Sequence, residues 1–195
     1  MRGMKMNPGK LFVFTGPSGT GKGTILSQVL ACEPQLRLSV SATTRQPREG
    51  EVNGVHYWFM SQAEFENKIE HDAFLEHACY VGNYYGTPEQ PVNDQLAEGY
   101  DVILEIEVQG AMQIHKKRPD AIMVFVAPPS MEELSNRLHG RGTESAEKVA
   151  ARLAQAETEL SHQSQFDYVI VNDDLGEAIA DLRAILRAER CRVVR

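Results

Sequence analysis

Cysteine is scarce in this chain of 195 residues, and the three present form no C-x-x-C. Cys32, Cys79 and Cys191 are odd in number and widely spaced, which excludes a disulfide framework and structural zinc and suits a reducing cytosol. The six histidines show no metal-ligand spacing and no H-E-x-x-H, so His77 and His115 read as surface or packing residues. No Ser/His/Asp or Cys/His arrangement points to nucleophilic catalysis. Long apolar runs are missing too, which removes a membrane span, and the run that follows Arg2, Lys5 and Lys10 is too short for a signal peptide. There is no excess of positive charge: 20 Lys and Arg face 27 Asp and Glu, a net charge of −7. That balance argues against general nucleic-acid binding and leaves room for a local cationic site. Internal repeats and low-complexity tracts are absent. The expectation is a cytoplasmic single domain with no nucleic-acid or membrane partner; the oligomeric state is not set by the sequence.

Glycine, by contrast, is concentrated where it has a use. The stretch Gly16, Pro17, Ser18, Gly19, Thr20, Gly21, Lys22, Gly23, Thr24 follows the β-rich apolar run 11–14 and precedes apolar residues at helical spacing from Ile25. A strand, a glycine loop and a helix in that order make a cradle for phosphate. Glycines let successive N–H groups turn inward, and the helix start adds partial positive charge. Lys22 reaches the β- and γ-phosphates. Gly23 stands where such loops usually carry the hydroxyl that touches Mg²⁺, and Thr24 could take that role only with a shift. A glycine-rich turn can also bind nothing; Lys22 and the flanking elements favour the cradle.

Further along, Pro34 ends the first helical pattern, and 38–41 alternates as a short strand would. Residues 43–50 mix hydroxyls, arginines and turn formers, and are expected as an exposed loop. Aromatic, β-favouring residues at 55–60 are expected to pair in a small sheet. Ser61 to Glu64 form a capping box that opens a helix through about Glu70. Residues 74–85 are again β-like, with a turn at Gly82 and Asn83. A helix over 94–98 stops at Gly99. Strands are expected at 102–107, 122–127 and 168–171, the first ending in Glu105 and Glu107. Helices are expected after Ser130, from Glu144, and from Asp174 to about Arg190. Alternating strands and helices imply an α/β fold with a parallel sheet covered on both faces and ligands at the strand C-termini.

At Ser41, Ala42, Thr43, Thr44, Arg45, Gln46, Pro47, Arg48, Glu49, Gly50 and Glu51, continuing through Gly54 to Tyr57 and Phe59, the chain resembles the guanylate kinases. The resemblance runs from the phosphate loop to Asn172, Asp173 and Asp174. It implies a P-loop nucleoside monophosphate kinase fold: a parallel-sheet core at about 9–37, 97–129 and 153–195, a mixed α/β GMP-binding insertion at about 38–96 and a helical lid at about 130–152. The implied reaction moves the γ-phosphate of Mg-ATP to GMP, giving ADP and GDP. ATP and GMP are the partners implied, and Mg²⁺ the cofactor.

By this resemblance Ser41, Arg45, Arg48, Tyr57 and Tyr85 hold the GMP phosphate, which suits the planar donor forks of two arginines. Glu76 accepts from the guanine N1–H and 2-amino group, Thr87 lies near O6, and Glu107 matches a position that contacts the guanine amino group, where the family often has aspartate. Glu105, two residues earlier and on the same strand face, organises water around Mg²⁺ rather than binding it directly. Arg137, Arg141 and Arg152 come from the lid and, with Lys22 and Arg45, neutralise charge on the transferring group. Asn172 matches a position near adenine; it equally reads as a turn residue. Two other readings remain: a non-catalytic guanylate-kinase-like module that binds phosphopeptides, and a kinase for another acceptor such as AMP or a ribose phosphate.

Overall fold

The computed structural model describes residues 8–140 and 146–193. In chain order the elements are β1 (Leu11–Thr15), α1 (Lys22–Cys32), β2 (Leu36–Leu38), β3 (Ala42–Thr43), β4 (Trp58–Phe59), α2 (Gln62–Glu70), β5 (Phe74–Tyr80) and β6 (Asn83–Pro88). There follow α3 (Glu89–Ala97), β7 (Asp101–Glu105), α4 (Val108–Lys117), β8 (Ile122–Ala127), α5 (Met131–His139), α6 (Ala146–Leu160), β9 (Tyr168–Val171) and α7 (Leu175–Arg190). The strands form a five-stranded sheet in the order β2-β7-β1-β8-β9 and a four-stranded sheet in the order β4-β3-β6-β5. Among the described residues, no helix is long and apolar enough to cross a membrane.

The chain divides into two compact units. The first comprises the described residues up to Leu11, Gln35–Leu104 and Gln109–Ala121; the second comprises Phe12–Pro34, Glu105–Val108 and the described residues from Ile122 on. In the second unit β1, β8 and β9 run parallel, with Phe12 opposite Ile122 and Val124 opposite Tyr168. Every residue of β1 and β8 is buried, the expected state of parallel strands covered on both faces. Helices α5 and α6 share a core of Leu134, Leu138, Val149 and Ala156. Ser130 and Asp174 cap α5 and α7 by accepting from the backbone N–H of Glu133 and Glu177, which satisfies donors that a helix start leaves free.

In the first unit β2 and β7 run parallel, and the four-stranded sheet lies wholly within this unit. There β5 and β6 make an antiparallel hairpin, turned by Val81 and Gly82 at φ 48° and 75°. Ala42, Phe65 and Phe74 form its core, with Phe65 stacked 4.3 Å from Phe74 and 5.3 Å from Tyr84. Helix α2 begins with the capping box read in the sequence: Ser61 and Glu64 each accept from the other's backbone N–H.

Several boundaries differ from expectation. The strand expected at 38–41 is β2 at 36–38, because Gln35 O already accepts from Asp101 N and sets the register with β7. Thr43, expected in an exposed loop, is buried in β3. Of the expected strand at 55–60 only two residues pair. Its flank is closed by local bonds instead, Val52 N–H to His56 Nδ1 and Phe59 N–H to Asn53 Oδ1. Helix α3 starts at Glu89 rather than 94; Pro91 sits in its first turn, where a missing N–H is tolerated. Strand β7 stops at Glu105, so Glu105 and Glu107 do not share a strand face. Helix α4 is not anticipated at all, although Val108, Ala111 and Ile114 are buried at helical spacing.

Candidate functional site

In the second unit, Thr15 ends β1 and the chain turns through Gly16, Gly19 and Gly21, at φ 143°, 93° and 86°. Two of these glycines are required for space as well as conformation. A Cβ on Gly16 would lie 2.1 Å from Val126 O, and one on Gly21 would lie 2.4 Å from Asn172 Nδ2. Gly21 is the N-cap of α1 and contributes no side chain to the cap, so the first N–H groups of that helix are left for an anion. The loop is braced from within and from the residue that follows β9. Thr20 Oγ1 donates to Pro17 O at 2.9 Å, and buried Asn172 Nδ2 donates to Thr20 O at 2.7 Å. Arg137 bonds Asn172 O at 2.9 Å through one guanidinium nitrogen and Glu133 at 2.8 Å through Nε.

Lys22 folds back over this loop, donating to Gly16 O at 2.5 Å and Pro17 O at 2.9 Å. Burial pulls its pKa down, against the charges of Glu105, Glu159 and Glu107. Burial likewise raises the pKa of Glu105, opposed by Lys22, and that of Glu159, opposed by Gln155 and Lys22 and reinforced by Glu107. Lys22 thus rests on two carbonyl oxygens, contacts that an incoming anion can displace to pair with the ammonium. Among the described residues no group of three or more His, Cys, Asp or Glu is arranged to hold a metal ion directly. Oxygen from Glu105 beside the loop suits a hard cation that keeps most of its water, as Mg²⁺ does.

In the first unit two clusters stand out. Arg45 lays its fork on Glu51, at 3.0 and 2.8 Å, and its guanidinium lies over the rings of Tyr57 and Phe59. Arg48 N–H donates to the same Glu51 carboxylate at 2.7 Å. Those donors, Arg45 first, hold the Glu51 pKa down at about 2. Tyr57 and Tyr85 meet edge to face at 6.2 Å, and burial, with Tyr85 alongside, raises the Tyr57 pKa. The second cluster is a buried carboxylate: Glu76 on β5 accepts from Thr87 Oγ1 on β6 at 2.6 Å. Ser41, half-buried, precedes β3, and its carbonyl accepts from Trp58 N–H.

A glycine loop holding a half-buried lysine, with arginine–tyrosine and buried-carboxylate clusters elsewhere in the chain, is a set that can be compared with known proteins. The guanylate kinase family model matches residues 8–189. The chain belongs to the guanylate kinase family. It is 53% identical over 192 residues to a guanylate kinase of Desulfitobacterium hafniense (strain Y51), covering 98% of this chain and 96% of that protein. It is 50% identical over 192 residues to a guanylate kinase of Escherichia coli (strain K12), covering 97% and 93%. The crystal structure of guanylate kinase from Anaplasma phagocytophilum superposes with a TM-score of 0.76 at 33% identity, covering 97% of this chain and 90% of that one.

Of the residues singled out in this guanylate kinase family member, the structure sets Arg45 between Glu51 and the Tyr57 ring, with Tyr85 against Tyr57 and Arg48 joined to Glu51 through its backbone N–H. It pairs Glu76 with Thr87, and ties Asn172 to the glycine loop and Arg137 to Asn172. Glu107 belongs to the second unit, near Lys22 and Glu159. Arg152 lies on α6, half-buried, and Arg141 lies outside the described residues. The sequence reading passes over Glu51 and Glu159. Glu51 stands inside the quoted motif, three residues after Arg48, so its spacing was a usable sign.

Proposed function

We propose that the chain transfers the γ-phosphoryl group of ATP to GMP, and to dGMP as well, releasing ADP and GDP. Family membership supports the reaction class. The observation that carries the acceptor assignment is the buried Glu76 carboxylate held by Thr87, separate from the arginine–tyrosine cluster. Guanine offers two donors on one edge, N1–H and the 2-amino group, and a fixed carboxylate accepts both; adenine offers neither at those atoms. A site that leaves buried groups unpaired with the wrong base discriminates by about 10⁴ or more.

In this reading Ser41, Arg45, Arg48, Tyr57 and Tyr85 bind the acceptor phosphate, and residues 38–96 act as the GMP-binding insertion. Residues 16–24 bind the donor phosphates, and Asn172 lies at their edge. Lys22, Arg45, Arg137, Arg141 and Arg152 screen the two anionic nucleotides through an in-line transfer, the last three from a lid at 130–152. Mg²⁺ arriving with ATP adds positive charge at the phosphates, and Glu105 orders its water. Glu107 approaches the guanine amino group. The three unpaired cysteines suit the cytoplasm for such a nucleotide-metabolising enzyme.

The test is ADP formation from Mg-ATP with GMP, dGMP, AMP, CMP and UMP offered separately. Turnover with GMP and dGMP alone is expected. Turnover with AMP would remove the acceptor assignment, and folded protein inactive with all five would favour a phosphopeptide-binding module. Arg48→Ala is expected to weaken GMP use; wild-type affinity and turnover in that variant would refute the phosphate-binding role.

A further inference from the structure

We propose that helix α4 positions the Glu76 carboxylate, and that Gly110 is a specificity-determining residue because its missing side chain lets that carboxylate stand against the helix. The inference rests on the reading of Glu76 as the base contact. Four observations within the first unit carry it. A Cβ built on Gly110 would lie 2.6 Å from Glu76 Oε2, 3.2 Å from Cδ and 3.4 Å from Cγ. The other oxygen, Oε1, is held from the opposite element by Thr87 Oγ1 at 2.6 Å. The ladder between β5 and β6 shifts register between Phe74 and Glu76, an irregularity of the kind that re-aims a side chain.

The fourth observation concerns the strand itself. Strand β5 is an edge of its sheet, and α4 takes the backbone groups there. His77 N–H donates to Gln113 Oε1 at 3.2 Å, and Gln113 Nε2 donates to His77 O at 3.0 Å, so one side-chain amide answers both groups of the residue after Glu76. Lys117 Nζ reaches Phe74 O at 2.8 Å and pairs with Asp72 at 2.9 Å and Glu89 at 3.2 Å. Positions 110, 113 and 117 fall on one helix face. Gly110 weakens the helix it sits in, since glycine is a poor helix former. A position that needs only helix would favour alanine. One that needs room for a carboxylate does not.

Gly110→Ala separates the two roles. A purely structural glycine would leave base preference unchanged. A seat for the carboxylate predicts that kcat/KM for GMP falls by about 10–100-fold, the scale of a misplaced contact of about 1 Å. The ratio of GMP to IMP, which lacks the 2-amino group, narrows with it, while KM for ATP stays within about twofold. The melting temperature should fall by no more than a few degrees, because alanine's gain in the helix offsets part of the cost of the displaced carboxylate. An unchanged GMP to IMP ratio in folded Gly110→Ala overturns the proposal. Glu76→Gln is measured beside it. If Glu76→Gln leaves the ratio intact, the base-contact reading fails; if it collapses the ratio and Gly110→Ala does not, only the Gly110 assignment fails. Should Gly110→Ala lose its fold, Gln113→Ala decides: a rise of about 3–10-fold in KM for GMP with KM for ATP unchanged supports α4 as the positioning element, and wild-type constants overturn it.

Discussion

Asn172→Asp probes how the glycine loop at 16–24 is held. The substitution keeps the shape of the side chain and replaces the Nδ2 donor with an oxygen. In the native chain that donor lies 2.7 Å from Thr20 O, and both residues are buried. The variant loses the bond, leaves a buried carbonyl without that donor, and places a carboxylate against it. Losing a buried partner costs about 1–3 kcal/mol, and the charge adds to this. Arg137, bonded to the carbonyl of residue 172, offsets part of the charge. A net loss of about 2–3 kcal/mol lowers the melting temperature by roughly 4–12 °C for a chain of this size. Burial against a carbonyl raises the pKa of the introduced carboxyl in the folded state. Its protonated form can donate to Thr20 O. Stability is therefore present below the unfolded carboxyl pKa of about 3.9 and is lost as pH rises through the higher folded value. The gap to wild type should widen from pH 5 to pH 8 in thermal melts. Asn172→Ala should lose about 1–2 kcal/mol at every pH. Melting as wild type, or a gap independent of pH, would refute the strut argument. A changed preference between ATP and GTP at an intact melting temperature would show Asn172 acting on the base instead.

Other expectations follow from the same geometry. Gly16→Ala puts a Cβ 2.1 Å from Val126 O at φ 143°, a clash with backbone that cannot swing away. It should lower urea stability by about 3 kcal/mol or more and abolish ATP binding, both readable by denaturation and titration calorimetry. Thr87→Val removes the hydroxyl on Glu76 while keeping its volume. It should cost about 1.5–3 kcal/mol and lower kcat/KM for GMP, whereas Thr87→Ser should retain most of that activity. The Glu51 carboxyl carbon, followed by NMR, should stay in its ionised position as pH falls from 7 to about 3 and titrate near 2. Because that pKa is depressed on folding, the ordering it gives the Arg45 loop is present above the usual carboxylate range and is lost as pH falls toward 2. Arg45→Ala should return the midpoint toward the ordinary value.

Legibility varied with how local the cause was. The capping box at Ser61, the strand at Ile122–Ala127 and the helix that ends at Arg190 could be read because each is specified by its own few residues. The two-residue β4 could not, since bonds to Asn53 and His56 side chains decide which backbone groups are free to pair. The glycine turn between β1 and α1 was legible from its own residues. That Asn172, about 150 positions away, braces it through Thr20 O was not, because nothing near residue 172 encodes residue 20. The family motif located Arg45 and Arg48, but not that Glu51 ties both to one carboxylate.

The parallel pairing of β1 with β8 also bears on how the chain reaches its native state. Phe12 finds Ile122 at a separation of 110 positions, so the closure entropy must be met before any contact between the two strands repays it. Until then the segment Ile122, Met123, Val124, Phe125, Val126, Ala127, wholly buried at the end, is exposed as an uncharged, β-prone hexamer. Hairpin β5–β6, whose strands are separated only by Val81 and Gly82, pays no such delay. Refolding from denaturant should therefore lose yield as protein concentration rises, and the hexamer at 122–127 is where chains would meet each other first.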